Sequence, residues 1–198
     1  QLDAYQDREA MRVTTGLEVS GSVNTPDAVL VEHIQASIRR GHPQVQPEGS
    51  KTDVVCIVGG GPSLESTLPE LVDLIMGGAK IVALNHAYTW CFDQNLRPAA
   101  HVILDSRECN ARFIGPPVPG CMYLYASQCH PAVWEAIEGR DRVFIWHALN
   151  FESPEAPILD AYYGGRNHWV GISGGTTAIT RALMLLRLIG FFRFHLFG

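Results

Sequence analysis

Val54-Val55-Cys56-Ile57-Val58-Gly59-Gly60-Gly61-Pro62-Ser63-Leu64 decides how this chain is read. Five consecutive apolar residues are what a strand buried on both faces requires. The three glycines that follow let the backbone take positive φ and come close to a ligand with no Cβ in the way. A helix comes next. Leu68, Leu71, Val72 and Ile75 form its apolar face, Thr67 and Glu70 stand in capping-box relation, and Gly77-Gly78 stops it. Strand, glycine turn and helix in that order open an α/β unit whose ligands gather at the carboxyl end of the strand.

The same alternation continues downstream. Lys80 to Leu84 reads as a second strand, followed by a helix through Tyr88, Trp90 and Phe92. Ala100 to Leu104 is a third strand, ending at Asp105-Ser106-Arg107. Cys121 to Tyr125 and Arg142 to Trp146 supply two more, separated by a helix starting near Pro131. A long helix from Thr176 to Leu188 leads to a last strand, Phe194 to Phe197. This order predicts a Rossmann-like α/β fold: a mostly parallel sheet with helices on both faces.

Upstream of Asp53 the signals differ. Residues 1–24 show no sustained period and read as an arm. Thr25-Pro26-Asp27 supplies the hydroxyl, proline and acid of a helix start, and Leu30, Ile34 and Ile38 follow at four-residue steps before Gly41. His42 to Asp53, with Pro43, Pro47 and Gly49, reads as a linker. The expected division is residues 1–52 for arm, helix and linker, and residues 53–198 for the main domain. The chain begins with Gln1 and stops at Phe197-Gly198 directly after an apolar strand, so it is expected to be truncated at its C-terminus.

Composition narrows the function classes. Fifteen Lys and Arg against 20 Asp and Glu give a formal charge of −5, so there is no excess positive charge to neutralise nucleic-acid phosphates. A 46% apolar content is too high for disorder, and 19 Gly with 12 Pro are too many for a helical bundle. No apolar run approaches the length of a membrane span, and no basic start followed by an apolar stretch marks a secretory signal. The 5 cysteines are odd in number and contain no C-x-x-C, which argues against a zinc knuckle or a disulfide framework. Cys56 and Cys121, inside apolar runs, read as small hydrophobes, and a reducing cytoplasm is the expected compartment.

Four groups of residues could carry chemistry. Gly59, Gly60, Gly61, Pro62 and Ser63 offer backbone amides and a hydroxyl to a phosphate; the plain alternative is a turn that only reverses the chain. No Lys follows these glycines, which rules out a G-x-x-x-x-G-K-[ST] loop. Leu64 and Asn85-His86 depart from the dinucleotide fingerprint where a third Gly and a ribose-binding acid belong. Ser173, Gly174, Gly175, Thr176 and Thr177 form a second glycine-rich helix start, with Arg181 a turn inward; here Thr176 as a simple cap is the alternative. Two such starts in one sheet suit a diphosphate or a sugar nucleotide. Asp105, beside Ser106 and Arg107, could hold a divalent ion against substrate phosphates or could cap the next helix. Asn85 could bond a ribose or base, or close an Asx turn. The 8 histidines form no H-E-x-x-H or three-ligand cluster, His130 and His147 read as bland, and no G-x-S-x-G elbow supports a hydrolase.

These stretches resemble a known family. Val54 to Leu64, with its strand and G-x-G-P-S-L, is similar to the opening of the 6-hydroxymethylpterin diphosphokinase MptE-like domain. Arg97 to Asp105 resembles the later stretch in which a proline leads a strand ending in Asp. Gly174-Gly175-Thr176-Thr177 with the helix to Gly190 and the strand Arg193 to Gly198 resembles the final unit. The likeness covers residues 53–198, and other wording is similar to a bacterial and phage-associated branch. It implies a Rossmann-like domain related to two activities: magnesium- and ATP-dependent diphosphate transfer to a hydroxymethyl pterin, and transfer of a nonulosonic (sialic-acid-type) sugar from its CMP-activated form, as in motility-accessory glycosyltransferases. The matched positions are Gly59, Gly61, Pro62, Ser63 and Asp105. The resemblance implies that the last strand leads into an acidic turn, which this chain does not reach; if that acid is catalytic, a piece lacking it is expected to bind without turning over. The expectation is a nucleotide-dependent transferase with Asp105 as catalytic and metal-binding residue, ATP or a CMP-sugar as donor and Mg2+ as cofactor. A non-catalytic accessory binding module that kept the fold is the remaining alternative.

Overall fold

A computed structural model describes residues 10–12, 18–20, 25–149, 154–175 and 177–198. Strands β1 (Ala10–Arg12) and β2 (Glu18–Ser20) pair antiparallel within the stretch read as an arm. Helix α1 (Asp27–Ile38) precedes the sheet. Strand and helix then alternate: β3 (Val54–Val58), α2 (Leu64–Met76), β4 (Lys80–Leu84), α3 (Ala87–Asp93), β5 (Ala100–Ile103), β6 (Met122–Ala126), α4 (Pro131–Glu135), β7 (Val143–Ala148), α5 (Glu155–Tyr163), β8 (Gly171–Ile172), α6 (Ala178–Leu188) and β9 (Arg193–Phe197). A 3-10 turn, Glu108–Phe113, bridges β5 and β6.

Seven strands form one sheet in the order β8-β7-β6-β5-β4-β3-β9, and every pairing is parallel. The expected Rossmann-like α/β fold is what the chain adopts. From β3 the chain steps outward strand by strand to β8, then returns through α6 to β9 on the other flank of β3. Right-handed crossovers put the helices of the outward march on one face and the helix of the return on the other. The direction therefore reverses at β3, and the crevice between the carboxyl ends of β3 and β9 is the place where such sheets bind ligands. The register pairs Val54 with Arg193 and Val58 with Phe197, so both strands end level with each other.

The core is the expected apolar set. Val55, Cys56, Ile57 and Val58 are buried in β3, as are Leu71 of α2, Leu185 and Leu186 of α6, and Trp134 and Trp146. All 5 cysteines are free thiols; Cys56, Cys91, Cys121 and Cys129 are buried and Cys109 is exposed. Residues before Asp53 share this core. Ile34, Ile38 and Val45 are buried in it, and Val45 donates to the Ile145 carbonyl at 2.9 Å while Ile145 donates to the Pro43 carbonyl at 3.0 Å. The segment read as a linker thus adds a strand-like bridge beside β7.

Two helix starts differ from expectation. Thr25 does not cap α1: Pro26 holds the cap position, and the Thr25 hydroxyl instead pairs with Ser106 Oγ at 2.6 Å in a buried contact. Helix α2 begins at Leu64, three residues before the expected Thr67 cap. Thr67 lies inside the first turn and turns its hydroxyl back to the Ser63 carbonyl at 2.9 Å.

Candidate functional site

The glycine turn occupies the switch point. Gly59 donates to the Phe197 carbonyl at 2.8 Å, which ties the loop to the end of β9. None of Gly59, Gly60 and Gly61 has positive φ, so that freedom goes unused here. Their smallness is needed for close approach instead. A Cβ on Gly60 would lie 1.9 Å from Cε1 of His86, and one on Gly61 would lie 2.1 Å from the backbone carbon of Gly198. No L-residue with a side chain fits either place without movement.

Beyond the glycines, Pro62 and Ser63 are exposed. Ser63 stands at the N-cap of α2 with helical dihedrals, and its hydroxyl caps nothing. Its carbonyl accepts from Thr67 N–H at 3.0 Å and from the Ser66 and Thr67 hydroxyls at 2.9 Å. The N–H groups of Gly60, Gly61, Ser63, Glu65 and Ser66 find no acceptor among the described residues. Such donors at the N-terminus of a 13-residue helix favour a negative ligand. Glu65, the acid of the first turn, is drawn sideways to Trp90, whose indole N–H donates to it at 3.0 Å.

Asn85 follows β4, the strand beside β3. Its φ is 47°, a left-handed backbone, and its Oδ1 is buried without a hydrogen-bond partner. An unsatisfied buried acceptor costs about 1–3 kcal/mol, so the atom is poised to take a donor. The Asn85 carbonyl accepts from Nε2 of His101 at 2.9 Å. Burial pushes the His101 imidazole down to about 3, so the ring is neutral at physiological pH.

Asp105 lies beyond β5, two strand positions from β3 and so roughly 10 Å across the sheet. Its carboxylate is already engaged. Arg107 donates through Nε at 3.0 and 2.9 Å, through Nη2 at 2.5 Å and through its backbone N–H at 2.9 Å. Burial pulls the Asp105 carboxyl upward, but the hydrogen bonds and charge of Arg107 outweigh it and hold the group below the usual carboxylate range. Asp105 is the only acid the sequence offered for a metal, and no cluster of three His, Cys, Asp or Glu side chains exists among the described residues. A magnesium ion therefore fits only as one carried by substrate phosphates, with Asp105 freed from Arg107.

The second glycine-rich start lies elsewhere. Ser173 follows β8 at the far edge of the sheet, five strand positions from β3, or roughly 24 Å. One diphosphate does not reach both turns, so a single ligand meets both only if it is as extended as a sugar nucleotide. Gly174 and Gly175 do take positive φ, +105° and +66°. Thr177 caps α6, accepting from Thr180 N–H at 3.3 Å; Thr176, the expected cap, lies outside the described residues. Arg181 turns into the protein, with Nε donating to the Gly175 carbonyl at 2.9 Å and Nη1 to the Leu149 carbonyl at 2.6 Å. It braces this turn rather than presenting a cation at its surface.

The structure thus brings together Gly59 to Ser63, Asn85 and Asp105 at neighbouring strand ends, and sets Ser173 to Thr177 apart. Sequence reading missed His86, whose ring covers Gly60 and packs on Phe113 with centroids 5.5 Å apart. It also passed over His101, although a lone ionisable residue in an otherwise apolar strand was the available signal. His130 caps α4, accepting from Ala132 N–H at 3.2 Å. His147 is buried with neither ring nitrogen hydrogen-bonded.

Comparison with known proteins bears on the fold and the family. No curated protein sequence matches the chain. Among solved structures, the MAf glycosyltransferase from Magnetospirillum magneticum AMB-1 superposes with a TM-score of 0.67 at 16% identity. The match covers 87% of this chain but 27% of that one, so the likeness is one of fold and the present chain spans about a quarter of that protein's length. The profile of the 6-hydroxymethylpterin diphosphokinase MptE-like family matches residues 33–198. A match over that much of the sequence, on the fold and switch-point loop described above, makes this chain a member of the MptE-like family.

Proposed function

We propose that the crevice at the end of β3 binds the phosphates of a nucleotide donor and that the chain is the donor-binding domain of a nucleotide-dependent transferase. The observation that carries this reading is the set of unpaired N–H groups from Gly60 to Ser66, at the switch point of the sheet, beside glycines whose Cβ positions are already filled. In the diphosphokinase form suggested by the family description, a hydroxymethyl oxygen of a pterin-type acceptor attacks the β-phosphorus of ATP. The bond to the α-phosphate oxygen breaks, AMP leaves and the hydroxyl proton is lost. The loop amides stabilise phosphate charge, and Asp105 is the carboxylate offered to a magnesium ion carried on those phosphates. Catalysis in this reading is positioning and charge stabilisation. Ser173 to Thr177, too distant for the same phosphates, are left to the acceptor or the far end of a longer donor. Five free thiols accord with a reducing compartment such as the cytoplasm.

One observation favours a second reading. Both oxygens of Asp105 are held by Arg107, an arrangement better suited to metal-free chemistry such as glycosyl transfer from a CMP-activated sugar. Thermal-shift measurements with ATP, CMP, CDP and a CMP-sugar, each with and without magnesium, separate the two. Stabilisation by ATP only with magnesium supports diphosphate transfer, and stabilisation by CMP without metal supports sugar transfer. No response to any of them overturns the nucleotide reading and leaves an accessory binding module.

A further inference from the structure

The buried network behind the crevice gives a role to His101. Tyr88 stacks on its ring with centroids 4.3 Å apart, and Tyr125 meets it edge-on at 5.4 Å. Nε2 lies 2.9 Å from the Asn85 carbonyl, which can only accept, so Nε2 carries the proton. Nδ1 lies 2.9 Å from the Tyr125 hydroxyl, which donates to it. The Asn85 N–H is bonded to the Val102 carbonyl at 3.0 Å. Both main-chain groups of Asn85 are therefore tied down in a left-handed conformation that most side chains avoid. With the backbone fixed, the Cα–Cβ bond has a set direction, and Oδ1 is buried without a partner. Asn85 directly follows β4, the strand beside β3, and the next residue, His86, lies against Gly60, so Asn85 sits at the strand end next to the glycine turn.

We propose that His101 is a positioning residue: by bridging Tyr125 to the Asn85 carbonyl, it holds Asn85 so that Oδ1 accepts a hydrogen bond from an N–H or O–H of the donor's nucleoside. This deepens the nucleotide reading and rests on it. An exocyclic amine of the base and a ribose hydroxyl both supply the required donor, whereas a keto oxygen would meet Oδ1 acceptor to acceptor. If Asn85 served the turn alone, glycine would serve as well, because left-handed φ costs it nothing.

Calorimetric titration of wild type, Asn85→Gly, His101→Gln and His101→Leu with ATP and CMP tests the assignment. Asn85→Gly keeps or raises the melting temperature and binds about tenfold more weakly. His101→Gln, whose amide can still donate to the Asn85 carbonyl, retains binding, and His101→Leu loses it as Asn85→Gly does. Should His101→Leu fail to fold, Asn85→Gly carries the test, since glycine is at ease there. Exchanging amine for keto (ATP for ITP, CMP for UMP) and removing the 2′-hydroxyl identify the group read. Wild type discriminates in one of these exchanges, and Asn85→Gly in neither. Undiminished binding and discrimination in Asn85→Gly would overturn the assignment while leaving the nucleotide reading intact. Failure of wild type to bind either nucleotide would overturn both.

Discussion

Gly60→Ala is the substitution whose consequence follows most directly from the packing. The new Cβ would stand 1.9 Å from Cε1 and 2.3 Å from Nε2 of His86, where ordinary contact begins near 3.4 Å. The ring must retreat by roughly 1.5 Å, because the repulsive wall is steep at such distances. Phe113 backs the ring, with centroids 5.5 Å apart, so the displacement compresses a second contact. Overpacking of this kind costs about 2 kcal/mol. For a chain of this size that is a fall of about 4–8 °C in melting temperature. His86→Ala removes the obstacle and alone costs about 1 kcal/mol in lost contact. In the His86→Ala background Gly60→Ala should therefore be nearly silent, a coupling of about 2 kcal/mol between the two sites. Thermal denaturation of the four proteins measures it. Additive losses, with no rescue by His86→Ala, would refute the claim that this glycine exists to admit the histidine ring.

Three further outcomes follow from the same geometry. Arg107→Gln should raise the Asp105 pKa. Because the folded carboxyl lies below its ordinary value, the stability this partly exposed pair adds, about 1 kcal/mol or less, is present at neutral pH and fades as pH falls below about 4; urea melts across that range check it. Burial pushes His101 to about 3 and His147 to about 4, so the unfolded chain binds more protons below about pH 6.5 and stability falls with acidification, by up to about 1.4 kcal/mol per pH unit for each ring. His147→Leu should lower the slope by up to about 1.4 kcal/mol per pH unit between pH 6 and 5 without loss at pH 7, since neither ring nitrogen has a partner among the described residues; an unchanged slope in equilibrium unfolding counts against this. A chain begun at Asp53 loses Ile34, Ile38 and Val45 from the core and should not unfold cooperatively when followed by circular dichroism.

Strand positions were the most legible part of the sequence. Val54–Val58 and Lys80–Leu84 are apolar runs bounded by Gly and Asn, and both strands fall where those runs do. The two-residue β8 and the helix Glu155–Tyr163 left no comparable trace, because one is too short for a period and the other carries Pro157 and a mixed face. Capping was misread at α2 because Pro62 and Ser63 start that helix before Thr67 is reached. The glycine turn was visible as a motif, but its physical reason was not. Close approach by His86 to Gly60 and by Gly198 to Gly61 spans 26 and 137 residues of sequence, and no local rule reports it. His101 escaped for the same reason: its partners are Asn85, just after β4, and Tyr125 in β6, and only the sheet order brings these flanking strands together.

Loop amides free to hold an anion are the premise of nucleotide binding at β3, and amide chemical shifts read that premise directly. Titrating isotope-labelled protein with ATP and with CMP, each with and without magnesium, should move the Gly60, Gly61, Ser63, Glu65 and Ser66 N–H resonances in a saturable way, while Gly59, bonded to Phe197, moves little. Saturation with those five resonances unmoved, or shifts confined to the β8 edge, would contradict it.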